Sequence, residues 1–180
     1  MKVYKFRKYE KGFANLYNNE KKRISKAIFK NSLIEHIGST AVQELPGKGI
    51  IDIMISCPKK NISKIKANLE KKAYKEGTSS DKNRIFLKRE AKIKGRMRRF
   101  HVHITSLNNP IWNNAISFRD YLIKNPKVSQ KYAELKKKAI VNCNNNGEVY
   151  RRLKTNFIEQ CIKNANKVAQ KVLPFSIFCF

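Results

Sequence analysis

Three features of this chain predict an α+β fold, with a mixed sheet of about four strands flanked by helices and a helical C-terminal half. Short apolar runs bounded by Gly and Pro fill the first hundred residues, the signature of buried strands. From Thr105 onward the apolar residues recur every three or four positions, which is helical spacing. The length of 180 residues, 41% of them hydrophobic, suits one domain with a real core. Within it, about 1–106 reads as a sheet-containing half, 107–172 as a helical half and 173–180 as an apolar tail.

Each element has a local reason. Phe13, Leu16, Tyr17, Ile24, Ala27 and Ile28 share one face of an amphipathic helix over about 10–29. Leu33 to Ile37 is the first strand and Ile50 to Ser56 the second, ended by Cys57-Pro58. Ile62, Ile65 and Leu69 mark a helix over about 61–73, with Asn61 as its N-cap. Arg84–Lys88 and Arg98–Thr105 read as paired strands joined by a charged stretch containing Gly95. Pro110 suits a first helical position, and Ile111, Ala115, Phe118 and Leu122 form one buried face behind it. Pro126 starts another helix, whose face is Val128, Tyr132, Leu135 and Ala139. Asn144 to Gly147 is a turn before a last helix carrying Val149, Leu153, Phe157, Cys161, Ala165 and Val168.

The formal net charge is +27, from 40 Lys+Arg against 13 Asp+Glu, which predicts affinity for polyanions such as RNA or nucleotides. A codon bias toward Lys, Asn and Ile is the competing explanation of that charge. No apolar run approaches the roughly 20 residues of a membrane span. The tail Leu173 to Phe180 is expected to dock on the core or on a second copy of the chain, giving a homo-oligomer. Cys57, Cys143, Cys161 and Cys179 form no metal or redox spacing, so reduced thiols in a cytoplasmic protein are expected.

The segment His36-Ile37-Gly38-Ser39-Thr40 joins an apolar strand to a tight turn able to present N–H groups to a phosphate. An ordinary strand-to-helix turn has the same residues. Gly47-Lys48 is not a Walker A loop: Val42 stands where its first glycine belongs and Gly49 where its Ser or Thr belongs. Asp52 is a lone carboxylate in the apolar run Ile50 to Ile55, a costly placement unless a cation or nucleotide-bound metal meets it. A salt bridge to Lys48 is the bland alternative. On a strand, His101 and His103 point to one face, where imidazoles serve as metal ligands, phosphate contacts or proton carriers. Packed, hydrogen-bonded histidines would look the same. Glu35 and His36 face opposite sides, so only one can enter a cleft. Arg119 is a candidate phosphate contact or a bridge to Asp120 or Glu134. Tyr132 and Lys136, one turn apart, can line the same cleft. Arg96, Arg98 and Arg99 are the candidate polyanion contact.

These segments together resemble the GrpB family, also called UPF0157. The resemblance rests on His36 to Val42, Lys48-x-Ile50-Ile51-Asp52-Ile53, His101-x-His103, Phe118 to Leu122, Tyr132-Ala133-x-Leu135-Lys136, and Tyr150 through Lys154 to Phe157-Ile158. It spans about Tyr9 to Ala169. It implies a polymerase-beta-like nucleotidyltransferase fold with a helical C-terminal part. The leading expectation built on that fold is a nucleotide-binding enzyme that takes a nucleoside triphosphate and transfers a nucleotidyl group to a small molecule, RNA or protein. Gly38, Ser39, Thr40, Lys48 and Arg119 would bind phosphates. Asp52, His101 and His103 would be catalytic, with Asp52 and His103 holding Mg or Mn. The chain departs from the pattern at Gln43-Glu44, where a Pro is usual, and at Lys48-Gly49, where Lys-Pro is usual. The superfamily's second carboxylate is Met54 here, and its later Asp is replaced by the histidine pair. A catalytically silent nucleotide- or RNA-binding module is the alternative, as is a basic RNA binder with a vestigial cleft.

Overall fold

The computed structural model describes residues 6–78 and 83–172. Helix α1 (Phe13–Ser25) precedes strand β1 (Leu33–Ile37), and a single 3-10 turn (Ser39–Ala41) follows it. Next come β2 (Ile50–Cys57), α2 (Ile62–Glu70), β3 (Lys75–Glu76), β4 (Ile85–Ile93) and β5 (Arg96–Ser106). Three helices end the chain: α3 (Pro110–Lys124), α4 (Pro126–Asn142) and α5 (Gly147–Val172). The sheet order is β1-β2-β5-β4-β3, with β2 and β5 parallel and the other pairs antiparallel.

Strand alternation gives the sheet two unlike faces. One carries Ile51, Ile53, Ile55, Phe100, Val102, Ile104 and Leu87, all essentially inaccessible. Phe13 and Ile24 of α1 and Ile65 and Leu69 of α2 pack onto it as the main core. Each such side chain contributes about 1.5–3 kcal/mol of burial free energy, so this face sets the register. The opposite face carries the chain's polar exceptions in two rows. Ile37, Asp52, His101 and Lys88 are successive partners across four strands, and Glu35, Met54, His103 and Phe86 form the next row. A second cluster, built on Val42, Leu45, Leu122 and Tyr132 with Phe118 and Phe157 against it, joins the C-terminal helices to the chain after the 3-10 turn.

The sheet has five strands where four were expected. β3 has only two residues, Lys75 and Glu76, both exposed, so no apolar alternation announces it. β4 and β5 run past their apolar stretches into a hairpin whose turn uses Lys94 (φ 47°) and Gly95 (φ 75°). Asn61 precedes α2 without a side-chain cap bond, whereas Asn109 accepts from Ile111 N–H at 2.9 Å and caps α3. Asn144 and Asn145 take positive φ, and Asn146 Oδ1 accepts from Glu148 and Val149 N–H at the start of α5. Cys57, Cys143 and Cys161 are free and buried. Among the described residues no helix is long and apolar enough to cross a membrane. The tail at 173–180, with the contact expected of it, lies outside the described residues.

Candidate nucleotide site

The polar face of the sheet floors a cleft of about 730 Å3, walled by α4, α5 and the Asn144–Gly147 turn. Gly38 forms its lip. Its φ of +72° with ψ −171° is a conformation open to glycine alone. A methyl group there would stand 2.5 Å from Oδ2 of Asp52, so the bare backbone is what lets the turn close over the carboxylate. Gly38→Ala is therefore expected to cost about 1–3 kcal/mol of stability through backbone strain alone. Displacement of Asp52 should add to that. Chemical denaturation of the pair of proteins measures it.

Asp52 is held between two imidazoles. Its Oδ1 lies 3.3 Å from Nδ1 of His101 and 3.9 Å from Nε2 of His103. Burial works to raise the carboxyl pKa, but the His101 and then His103 contacts outweigh it and hold the group far below the ordinary carboxylate range. Burial lowers the pKa of His103, against the opposing pull of the Asp52 carboxylate. Phe86 stacks on His103 at 5.1 Å between centroids and meets His101 edge-on at 4.9 Å, so one aromatic ring fixes both imidazoles.

Lys48, Arg84, Lys88, Arg99, Lys136, Arg151 and Lys154 line the same cleft, with Glu90 as a second carboxylate among them. Lys136 is 2% exposed and donates to the Pro46 carbonyl. Burial, then repulsion from Lys154, pushes its pKa down to about 7. Burial, then Lys48, brings Lys154 to about 8. Burial lowers Lys48 as well. The Lys48 and Lys154 ammonium groups lie 4.5 and 4.0 Å from the centroid of the Tyr150 ring. Buried ammonium groups crowded in this way favour an anionic occupant.

The structure brings Gly38, Ser39, Lys48, Asp52, His101, His103 and Arg99 to this cleft. It takes other expected contacts elsewhere. Thr40 is 2% exposed; its hydroxyl donates to the Ile50 carbonyl at 2.9 Å and lies 3.0 Å from Nε2 of His36, so it frames the turn from behind. The residues after it form only the 3-10 turn, not a helix, because Val42 is already extended and Glu44 takes φ 61°. Arg119 is held by Glu35 at 2.6 Å, the His36 carbonyl at 2.9 Å and Asp120 at 2.7 Å, which ties α3 to β1 and leaves its guanidinium off the cleft lining. His36 belongs to the packed face, stacked on Tyr17 at 4.5 Å, where burial lowers its pKa to about 4.

The three arginines do not make one patch. Arg98 pairs with Glu10 at 2.7 and 3.1 Å, and Arg96 is 71% exposed and 3.9 Å from the same carboxylate. Strand alternation sends Arg99 to the other face. Sequence reading missed Phe86, Arg84, Arg151 and Lys154 as cleft residues. One signal was available: Lys154 interrupts the stripe Tyr150, Lys154, Phe157, Cys161, as Lys136 interrupts Tyr132, Lys136, Ala139.

The fit to a divalent ion is poor. The position that would supply the second carboxylate is Met54, 1% exposed and incapable of binding magnesium. Among the described residues no group of three or more His, Cys, Asp or Glu side chains is arranged to hold a metal.

The fold defines the class first: a helix-flanked mixed sheet of the nucleotidyltransferase type. The Cid1 poly(U) polymerase in its Mg 3′-dATP-bound structure matches with a TM-score of 0.51 at 10% identity, over 74% of this chain and 44% of that one. The family described as GrpB protein matches residues 4–164, and the chain belongs to that family. The crystal structure of GrpB from Enterococcus faecalis superposes with a TM-score of 0.78 at 26% identity, covering 92% of this chain and 99% of that one. Bacillus subtilis YqkA, a UPF0157 protein, is 29% identical over 162 residues, 88% of this chain but 46% of its own length. The chain thus spans about half of that relative. The Glutamate-rich protein GrpB of Alkalihalophilus pseudofirmus is 29% identical over 133 residues, 72% of this chain and 76% of its own length.

Proposed function

We propose that the cleft binds a nucleoside triphosphate through its phosphate chain and transfers the nucleotidyl group to an acceptor. The observation that carries this reading is the ionised carboxylate of Asp52, beneath a glycine turn and beside two imidazoles, in a cleft whose lysines and arginines far outnumber its two carboxylates, Asp52 and Glu90. In this reading Gly38 and Ser39 offer donors to the phosphates, and Lys48, Lys136, Lys154 and Arg99 neutralise charge that develops on the leaving pyrophosphate. These fixed cations take the electrostatic role for which the wider superfamily uses two metal ions. Asp52 orients the imidazoles. The fold neighbour Cid1 was solved with Mg 3′-dATP, which makes a triphosphate the first ligand to try.

A nucleotide panel read by thermal shift and calorimetry, with pyrophosphate release measured alongside, tests the reading. Arms with and without manganese ask whether Asp52 and His103 hold one ion. Micromolar binding of a triphosphate that weakens on Ser39→Ala supports the reading; a chain indifferent to all nucleotides ends it. The buried Met54 supports a second reading, a cleft that binds nucleotide and releases no pyrophosphate. RNA or another polyanion remains a proposed partner through Arg96 and Arg99, with binding that fades as salt rises.

The lysines give this site a pH signature. In the free cleft Lys136 loses its proton above about pH 7 and Lys154 above about pH 8. A polyphosphate favours the protonated forms, so binding takes up protons and affinity falls as pH rises. The expected fall is about tenfold per pH unit for each lysine that must be reprotonated. Calorimetry at pH 8 in two buffers of different ionisation enthalpy should show proton uptake, reduced in Lys136→Met.

A further inference from the structure

We propose that His101 is the nucleophile of the cleft and carries the nucleotidyl group as a covalent intermediate before the acceptor receives it. This deepens the reading above and rests on it. The geometry separates the two histidines. His101 turns Nδ1 toward Asp52 at 3.3 Å, so its Nε2 lies on the far side of the ring, in a side chain that lines the cleft and is 25% exposed. Among the described residues that Nε2 has no hydrogen-bond partner. His103 is placed the other way: its Nε2 is the atom nearer Asp52, and its Nδ1 is buried without a partner under the stacked Phe86 ring. One imidazole therefore presents a lone pair to the cleft. The other can only support the carboxylate.

A carboxylate facing Nδ1 fixes the tautomer that leaves Nε2 basic and stabilises the ring when it becomes cationic. In the first step the Nε2 lone pair attacks the α-phosphorus. The N–P bond forms, the bond to the bridging oxygen breaks, and pyrophosphate leaves with that electron pair among the lysines. The ring, now a nucleotidyl-imidazolium, keeps its Nδ1 proton against Asp52. In the second step an acceptor hydroxyl attacks the same phosphorus. The N–P bond breaks, its electron pair returns to Nε2, and the hydroxyl proton leaves to water at the cleft mouth. A covalent path also explains how a site with Met54 in place of a second carboxylate can work. An imidazole attacks as a neutral atom and needs no metal to deprotonate it.

The test needs no acceptor. The full chain is incubated with each of the four α-32P-labelled nucleoside triphosphates, and the protein is separated and counted. The expected result is a label approaching one per chain, released by mild acid and stable to alkali, that maps to residue 101 by mass spectrometry. One equivalent of pyrophosphate should appear in a burst. His101→Gln should lose at least 100-fold of the label, with folding checked by its melting curve. His101→Gly should regain turnover with added imidazole, which leaves as nucleotidyl-imidazole. Label on Lys136 or Lys154 would overturn the proposal. So would binding and pyrophosphate release with no protein-bound nucleotide. A chain that binds no nucleotide removes the proposed function and this inference together, whereas the other two failures leave the proposed function standing.

Discussion

Asp52→Asn is expected to bind triphosphate more tightly than the parent protein while losing nucleotidyl transfer by about 10^3–10^4-fold, the scale seen when a carboxylate that orients a catalytic imidazole is neutralised. The two effects have different physical origins. The carboxylate is a negative charge in a mostly cationic cleft, and a phosphate bound beside it must approach against it. Its removal relieves that repulsion; at an effective dielectric near 20 two unit charges about 4 Å apart repel by roughly 4 kcal/mol, and even a quarter of that is about fivefold in affinity. Catalysis fails because the amide can donate to Nδ1 and so stabilise the wrong tautomer of His101. Isothermal titration beside single-turnover transfer measures both. The sign of the affinity change separates two chemistries. If Asp52 instead anchors a metal that grips the phosphates, affinity in the presence of manganese must fall.

Glu20→Gln should destabilise the fold by about 3–5 kcal/mol, since a buried charge is left without its partner. Glu20 is 4% exposed and accepts two bonds from Arg89, at 2.7 and 2.5 Å, and a third from the Tyr74 hydroxyl. The Arg89 guanidinium also lies 4.8 Å from the Phe100 ring centroid. This network links α1, the chain before β3, and β4. Breaking one member leaves the arginine desolvated and unpaired. For a chain of this length the cost corresponds to a fall in Tm of roughly 6–20 °C. A double change, Glu20→Met with Arg89→Met, should recover much of it, because two apolar side chains carry no desolvation penalty. If Glu20→Gln melts within 2 °C of the parent, the network is not the clamp that the distances imply.

The helices and long strands were legible because burial writes itself into periodicity. Ile51, Ile53 and Ile55 alternate on β2, and Phe118 and Leu122 on α3, like Tyr132 and Ala139 on α4, recur at helical spacing; each pattern needs only its own segment to be read. Exposed β3 has no such pattern, and the Glu20–Arg89–Tyr74 network joins residues up to 69 positions apart. The Gly38 turn, Asp52 and the His101/His103 pair were legible as exceptions to those patterns, since polar residues in apolar strands invite a functional reading. The division of the arginines was implicit in strand alternation, although charge density alone suggested a single patch.

By itself, then, the sequence determined the α+β layout, the family, and a short set of residues out of place in a hydrophobic core. Only the tertiary structure decided which of those residues meet. The β2–β5 register put His101 directly beside Asp52, Arg119 was taken by Glu35, and α4 and α5 brought Lys136 and Lys154 into the cleft that Asp52 lines. The physical reason is range: hydrophobic periodicity is a property of neighbouring residues. The charge and proton chemistry of the cleft is set by distances of a few ångströms between segments far apart in the chain, and these exist only once the chain has packed.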